Sequence, residues 1–235
     1  MSQFSDDMAS FPDDFSGRVR LFPLPNLVLF PHVIQPLHVF ESRYVDLLQA
    51  ALQDDRLIAM ALLSPGWEQH YEGRPLLAPV ACLGRIVSWQ ALPDARYNLL
   101  LLGMRRVRIE RELPPDRSFR EAEVRVLEDE YSPSGTQRRA SLHRRLVTAF
   151  EGMLPRIDDA EEMFNQLSVN SVSLGTLTDV ISYALDLDIS AKQSLLAERD
   201  VDRRAKRLLS HLKSASNETC SAAVAAGFPP AFSSN

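Results

Sequence analysis

VRLFPLPNLVLFPHVIQPLHVFESRY, residues Val19 to Tyr44, places two opposing demands on the chain. Pro23, Pro25, Pro31 and Pro36 each remove a backbone donor and fix φ, so a strand over Val19 to Phe22 is followed by extended chain that cannot enter a helix. Leu24, Leu27, Val28, Leu29, Phe30, Val33, Ile34 and Leu37 crowd into that stiff stretch, too many for one side of it to hide easily. Either these residues close a barrel, or some of them stay accessible as an apolar surface. The second alternative makes Leu27, Leu29, Phe30, Val33 and Ile34 a candidate peptide-binding surface, beside an open sheet edge that adds backbone hydrogen bonds to an extended peptide without demanding its sequence.

Directly afterwards the period changes. Tyr44, Leu47, Leu48, Ala51 and Leu52 recur at offsets of three, four, seven and eight, so Glu41 to Gln53 is expected to be a helix with one apolar face. Strands are expected next over Leu57 to Leu63, Val80 to Gln90, Tyr97 to Leu102, Arg105 to Leu113 and Phe119 to Glu130. Ala91 to Asp94 supplies a tight connection, and Gly103 another one or a bulge. Leu99 to Leu102 has no polar side and should be buried on both faces, whereas Val107 and Ile109 alternate with Arg106, Arg108 and Glu110 as in a half-exposed strand. Several antiparallel strands with one helix predict a small, partly open β-barrel.

After Ser132-Pro133-Ser134-Gly135 the pattern becomes helical. Leu142, Leu146, Ala149, Phe150 and Met153 form one stripe, Leu177, Val180, Ile181, Ala184 and Leu185 a second, and Val201, Ala205, Leu208, Leu209 and Leu212 a third. No stripe can bury itself alone, so a helical bundle is expected, with short helices at Ala160 to Leu167 and Ala191 to Leu196. Ser190 with Gln193 has the form of a capping box, and Asp200 is placed to cap the last helix. The expected division is a disordered acidic tail over 1–16, a β domain over 17–132, a helical subdomain over 135–213 and a second disordered tail over 214–235.

Composition narrows the chemistry. With 26 basic and 31 acidic residues the net charge is −5, which argues against nucleic acid as the default partner and against attraction to an anionic membrane. The acidic first residues lack the cations and apolar stretch of a signal peptide, and no run approaches the roughly 20 apolar residues of a membrane span. Cys82 and Cys220 show no C-x-x-C spacing, and a reducing, cytoplasmic compartment is expected. No glycine-rich loop precedes Lys192, Lys206 or Lys213, so no phosphate cradle is expected. Ser190 and Lys192 sit at a helix start, where Ser190 reads as a cap rather than a nucleophile. The five histidines lack metal-ligand spacing, so neither metal nor cofactor is expected. Arg105, Arg106, Arg108 and Arg111 could meet RNA, but Glu110 and Glu112 interleave with them as on a solvated strand face. Trp67 and Trp89 either anchor a recognition surface, which adds Trp67 to the candidate peptide-binding residues, or seal a barrel rim.

Three stretches carry a family resemblance in order: Val19 to Tyr44, then VACLGRIVSWQALPDARYNLLLLGMRRVRIERE (Val80 to Glu112), then LTDVISYALDLDISAKQSLLAERDVDRRAKRLLSHL (Leu177 to Leu212). Together they resemble the N-terminal domain of Lon proteases, as a stand-alone bacterial member without the AAA+ and peptidase modules. The resemblance implies an α+β fold, a PUA-like β domain followed by a helical part, and a role in recognising substrates. It supplies no catalytic residue. The function expected is a non-enzymatic module that binds unfolded polypeptide or a defined protein partner and delivers it to an ATP-dependent protease. The alternative is an RNA-binding PUA-like protein.

Overall fold

The computed structural model describes residues 11, 12, 14–70, 73–152, 172–218 and 233–234. These fall into two compact units, one ending at Leu127 and including Ser233–Ser234, the other beginning at Glu128. The expected α+β architecture is present.

The first unit contains β1 (Arg18–Leu24), β2 (Ile34–Val39), α1 (Ser42–Leu52), β3 (Leu57–Leu62), β4 (Val80–Leu92), β5 (Arg96–Glu112), β6 (Arg120–Leu127) and the two-residue β7 (Ser233–Ser234), with a 3₁₀ turn at Trp67–His70. β1 and β3 run parallel; β1 with β6, β3 with β4, and β5 with β4, β6 and β2 run antiparallel. Pairing passes from β4 through β3, β1, β6 and β5 back to β4. The C-terminal half of β5, from Arg106, completes that circuit with β6, while Tyr97 to Leu102 of its N-terminal half turn the same edge to β2. The barrel is therefore partly open, with β2 on the open side.

Inside, Val19, Leu21, Leu57, Ala59, Ala61, Ala81, Leu83, Val107, Ala122 and Val124 form one buried cluster, the alanines giving the narrow interior room to close. Phe11 and Phe15 pack against it, edge to face at 5.2 Å, so this part of the expected acidic tail contributes to the β unit. Helix α1 buries Tyr44, Leu47, Leu48 and Ala51, as its period requires. Tyr44 stacks on Phe22 at 4.1 Å and donates its hydroxyl proton to the Pro23 carbonyl at 2.7 Å, which ties the helix to β1.

Two strand expectations need correction. Tyr97 to Leu102 and Arg105 to Leu113 are one continuous strand, and Gly103 is no turn. The pairing steps from Leu83 opposite Arg105 to Gly84 opposite Gly103, a bulge that bends β5 without ending it. The run Leu99 to Leu102 is buried on one face only: Leu99 and Leu101 are core, whereas Leu100 and Leu102 are half-buried.

The second unit contains α2 (Thr136–Glu151), α3 (Leu174–Ala184), α4 (Ile189–Ala197) and α5 (Val201–Glu218). The stripes meet as expected through Leu142, Leu146, Phe150, Leu177, Ile181, Val201, Ala205, Leu208 and Leu212. The segment before the 132–135 turn also belongs here, because Glu130 and Asp200 bridge through Glu130 N–H to the Arg199 carbonyl at 2.9 Å and Val201 N–H to the Glu130 carbonyl at 3.0 Å. The expected helix at Ala160 to Leu167 lies outside the described residues. Ser190 is not a cap: α4 starts two residues earlier than expected, at Ile189, after Asp188.

Asp200 does cap α5, its Oδ1 accepting the Arg203 N–H at 2.9 Å. Burial pushes the Asp200 carboxyl up, but hydrogen bonds from Arg203 and its charge outweigh this and hold it below the usual carboxylate range. A depressed folded-state value means that the stabilisation is present above the ordinary carboxylate pKa of about 3.9 and is lost as pH falls through the lower, folded value. Asp200→Ala should therefore lower stability by about 1 kcal/mol at neutral pH and by less in acid, checked by urea melts at the two conditions.

Candidate functional site

The candidate peptide-binding residues separate into two groups. Leu29 and Phe30 are wholly buried and Val33 is nearly so, which corrects the expectation that they form an accessible surface. The physical reason lies at Gly103. His32 N–H donates to the Gly103 carbonyl and Gly103 N–H to the Val33 carbonyl, both at 2.8 Å, so the proline-stiffened segment lies with its backbone directly on β5. A Cβ at position 103 would stand 2.0 Å from the Phe30 carbonyl oxygen, and only glycine permits this approach. His32, at φ 66°, then turns the chain into β2. Leu27 is half-buried before that turn, and Trp67 is half-buried on the 3₁₀ turn.

Ile34 is different. It opens β2 and is 49% exposed, and Phe40, just past the strand end, is 46% exposed. Ile34 pairs with Leu102, Pro36 with Leu100 and His38 with Asn98, so one face of β2 and β5 carries Ile34, the half-buried Leu100 and Leu102, and His38. His38 Nδ1 lies 2.8 Å from Asn98 Oδ1, and its ring lies 5.9 Å from that of Phe40. From Ile34 to Phe40 the chain advances roughly 20 Å at about 3.3 Å per residue, the length of a short extended peptide.

The edge of the same strand opposite β5 is only partly covered. Pro36 has no N–H to donate, and its carbonyl accepts from Gln35 Nε2 at 2.8 Å, so the edge is blunted at its middle. Beyond Pro36 it is usable: Leu37 and His38 pair in parallel with Ser233 and Ser234 of the chain's own C-terminal end. Strand addition at this position thus has an example within the molecule. Phe40 was not among the residues singled out from the sequence; its signal, an aromatic one residue beyond a strand and before a helix, was present but not distinctive.

The arginine cluster on β5 does not form one surface. Arg106 is buried and Arg111 pairs with Glu123 at 2.6 Å, while Arg105 donates to the Met104 carbonyl and its guanidinium lies over Phe11. Among the described residues there is no group of three or more His, Cys, Asp or Glu suited to a metal ion, and no helix is long and apolar enough to cross a membrane.

Residues 18–214 match the family model described as the ATP-dependent protease La (LON) substrate-binding domain. The chain belongs to that Lon substrate-binding domain family. Lon protease of Desulfosudis oleivorans is 25% identical over 203 residues, covering 85% of this chain and 24% of that protein. Lon protease of Escherichia coli K12 is 27% identical over 198 residues, again covering 24% of the relative. The chain thus spans about a quarter of the length of these Lon relatives. Among solved structures, the Lon N-terminal domain protein from Xanthomonas campestris superposes with a TM-score of 0.57 at 25% identity, covering 82% of this chain and 97% of that one. The N-terminal domain of Mycobacterium avium complex Lon protease gives 0.66 at 16% identity over 83% of this chain and 98% of its own, a likeness of fold. Membership in a family of substrate-binding domains supports a substrate-recognition module.

Proposed function

We propose that this Lon-family domain is a non-catalytic, cytoplasmic module that binds extended polypeptide along the outer edge and exposed face of β2, and that it delivers bound chains to an ATP-dependent protease. The observation that carries the reading is the edge itself. Strand β2 lies on the open side of the barrel, its Leu37 and His38 already hold an extended segment, and exposed Ile34 and Phe40 flank that position. Backbone pairing gives affinity with little dependence on sequence, and the two apolar side chains favour the hydrophobic residues that unfolded proteins expose. Recruitment to a protease rests on family membership.

Ile34→Asp and Phe40→Asp test the surface. Both residues are exposed, so each variant should keep the far-UV circular dichroism and melting temperature of the parent. In a pull-down with a chemically unfolded protein, each should lower retention roughly five- to tenfold, the value of one apolar anchor of about 1–1.4 kcal/mol. Unchanged retention in the folded double variant would remove this surface from the reading. The parent should hydrolyse neither peptide nor ATP.

A further inference from the structure

A second feature of the β unit lies outside that edge. The N-terminus of α1, the loop at 73–75, the loop at 115–119 and the start of β6 line an open cavity of about 470 Å³, within the roughly 300–1,000 Å³ range of small-ligand pockets. Tyr44 and Phe119, both nearly buried, line it with apolar surface, and Arg43, Arg74, Arg117 and Arg120 line it with charge.

The carboxylates around it are already engaged. Glu41 pairs with Arg43 at 2.7 Å, Glu121 with Arg18 at 2.8 Å, and Asp46 accepts from Ser118 at 2.7 Å. Glu112 holds Arg120 through two bonds of 2.9 and 2.6 Å, while Arg120 also donates to the Pro75 carbonyl. Asp116, on the same loop, lies outside the lining. Arg74 and Arg117 are thus each the second cation on a carboxylate that has a nearer one. They stand 3.6 Å from Glu112 and 3.5 Å from Glu121, beyond the 2.7–2.9 Å of a charge-assisted hydrogen bond. Their side chains are 34% and 55% exposed. Arg74 also donates to the Leu113 carbonyl at 3.2 Å, and the Arg117 guanidinium lies over the Phe119 ring, 5.6 Å from its centre. The cavity therefore has two closely paired cations, Arg43 and Arg120, and two guanidiniums, Arg74 and Arg117, whose carboxylate contacts are longer, beside Tyr44 and Phe119.

We propose that this cavity binds a carboxylate-bearing polypeptide segment, the carboxylate between Arg74 and Arg117 and an adjoining apolar group against Phe119. The proposal rests on the polypeptide-binding reading and gives it a chemical preference. An acidic side chain and a chain-terminal carboxylate present the same group.

Fluorescence anisotropy on the full chain separates them, using dye-labelled peptides of equal length: a neutral one amidated at its C-terminus, the same with a central Glu, the neutral one with a free C-terminal carboxylate, and a basic one. At least one carboxylate peptide should bind roughly tenfold or more tightly than the amidated neutral one, and the preference should fall as salt rises. Which carboxylate peptide wins identifies the source. Arg74→Ala with Arg117→Ala should abolish the preference while unfolded protein is still retained at β2; if the double variant proves less stable, Arg117→Glu alone should abolish it. Equal binding of neutral and acidic peptides, tightest binding of the basic one, or a preference that survives in folded variants would overturn the proposal. If no peptide binds but unfolded protein is still retained, the cavity assignment falls and the β2 reading stands. If neither is retained, both fall.

Discussion

Phe30→Asp should yield a chain whose β unit does not fold. Phe30 is fully buried, and its own backbone is pressed against Gly103 closely enough that a single added carbon would collide with its carbonyl. A carboxylate there would lose its hydration, so it would either stay protonated or expel the segment from β5. Even the milder Phe30→Ala should cost about 3–5 kcal/mol, a large part of the roughly 5–15 kcal/mol that holds a domain together. Thermal unfolding followed by circular dichroism, with recovery of soluble protein, measures both. A folded, soluble Phe30→Asp protein with an unchanged melting temperature would show that the Pro-rich segment is not held on β5 as described.

Arg204→Ala should be comparably damaging to the helical unit. The Arg204 side chain is fully buried on α5, and each of its three nitrogens donates: Nη1 and Nη2 donate to the two oxygens of Asp129 at 2.9 and 2.7 Å, Nε donates to Thr178 Oγ1 at 2.9 Å, and Nη1 reaches the Glu198 carbonyl at 2.8 Å. Asp179, itself buried, lies 3.6 Å from Nε. One cation thus joins the 128–131 segment, α3 and α5. Gly175 leaves room for it, since a Cβ there would stand 2.4 Å from Asp129 Oδ2. Removing the guanidinium leaves buried acceptors and carboxylates without their donor, a loss of about 3–5 kcal/mol. Lysine should not restore it, because a point charge cannot make the paired bonds to Asp129. Urea denaturation of the three proteins tests this, and an Arg204→Lys variant as stable as the parent would contradict it.

The sequence revealed what depends on neighbours in the chain. The period of Tyr44 to Ala51, the stripes through Leu142, Leu177 and Val201, and the cap at Asp200 are local patterns, and the helices lie where those patterns put them. What it hid depends on residues far apart. Nothing near Phe30 announces that Gly103 will admit its backbone, so the same apolar crowd reads equally as core or as surface. Arg204 falls between Val201 and Ala205 on a buried stripe, where a charged residue ordinarily turns to solvent; its partner Asp129 is 75 residues away. Arg106 alternates like a solvent-facing residue and is nevertheless buried. The arginines of the cavity come from α1, two separate loops and the start of β6 and show no common motif. Ile34 was legible as part of the candidate surface but could not be distinguished from Val33, because a shift of one residue decides which side of β2 each faces.

An unfolded chain is expected to pair with the outer edge of β2, in place of Ser233–Ser234. Amide hydrogen exchange of the full chain, with and without a saturating unfolded polypeptide, tests it most directly. Protection should rise on binding at the β2 amides that face away from β5 and at Phe40, and this gain should disappear in the folded Ile34→Asp, Phe40→Asp double variant. Binding that leaves those amides unchanged and protects a different element would contradict it.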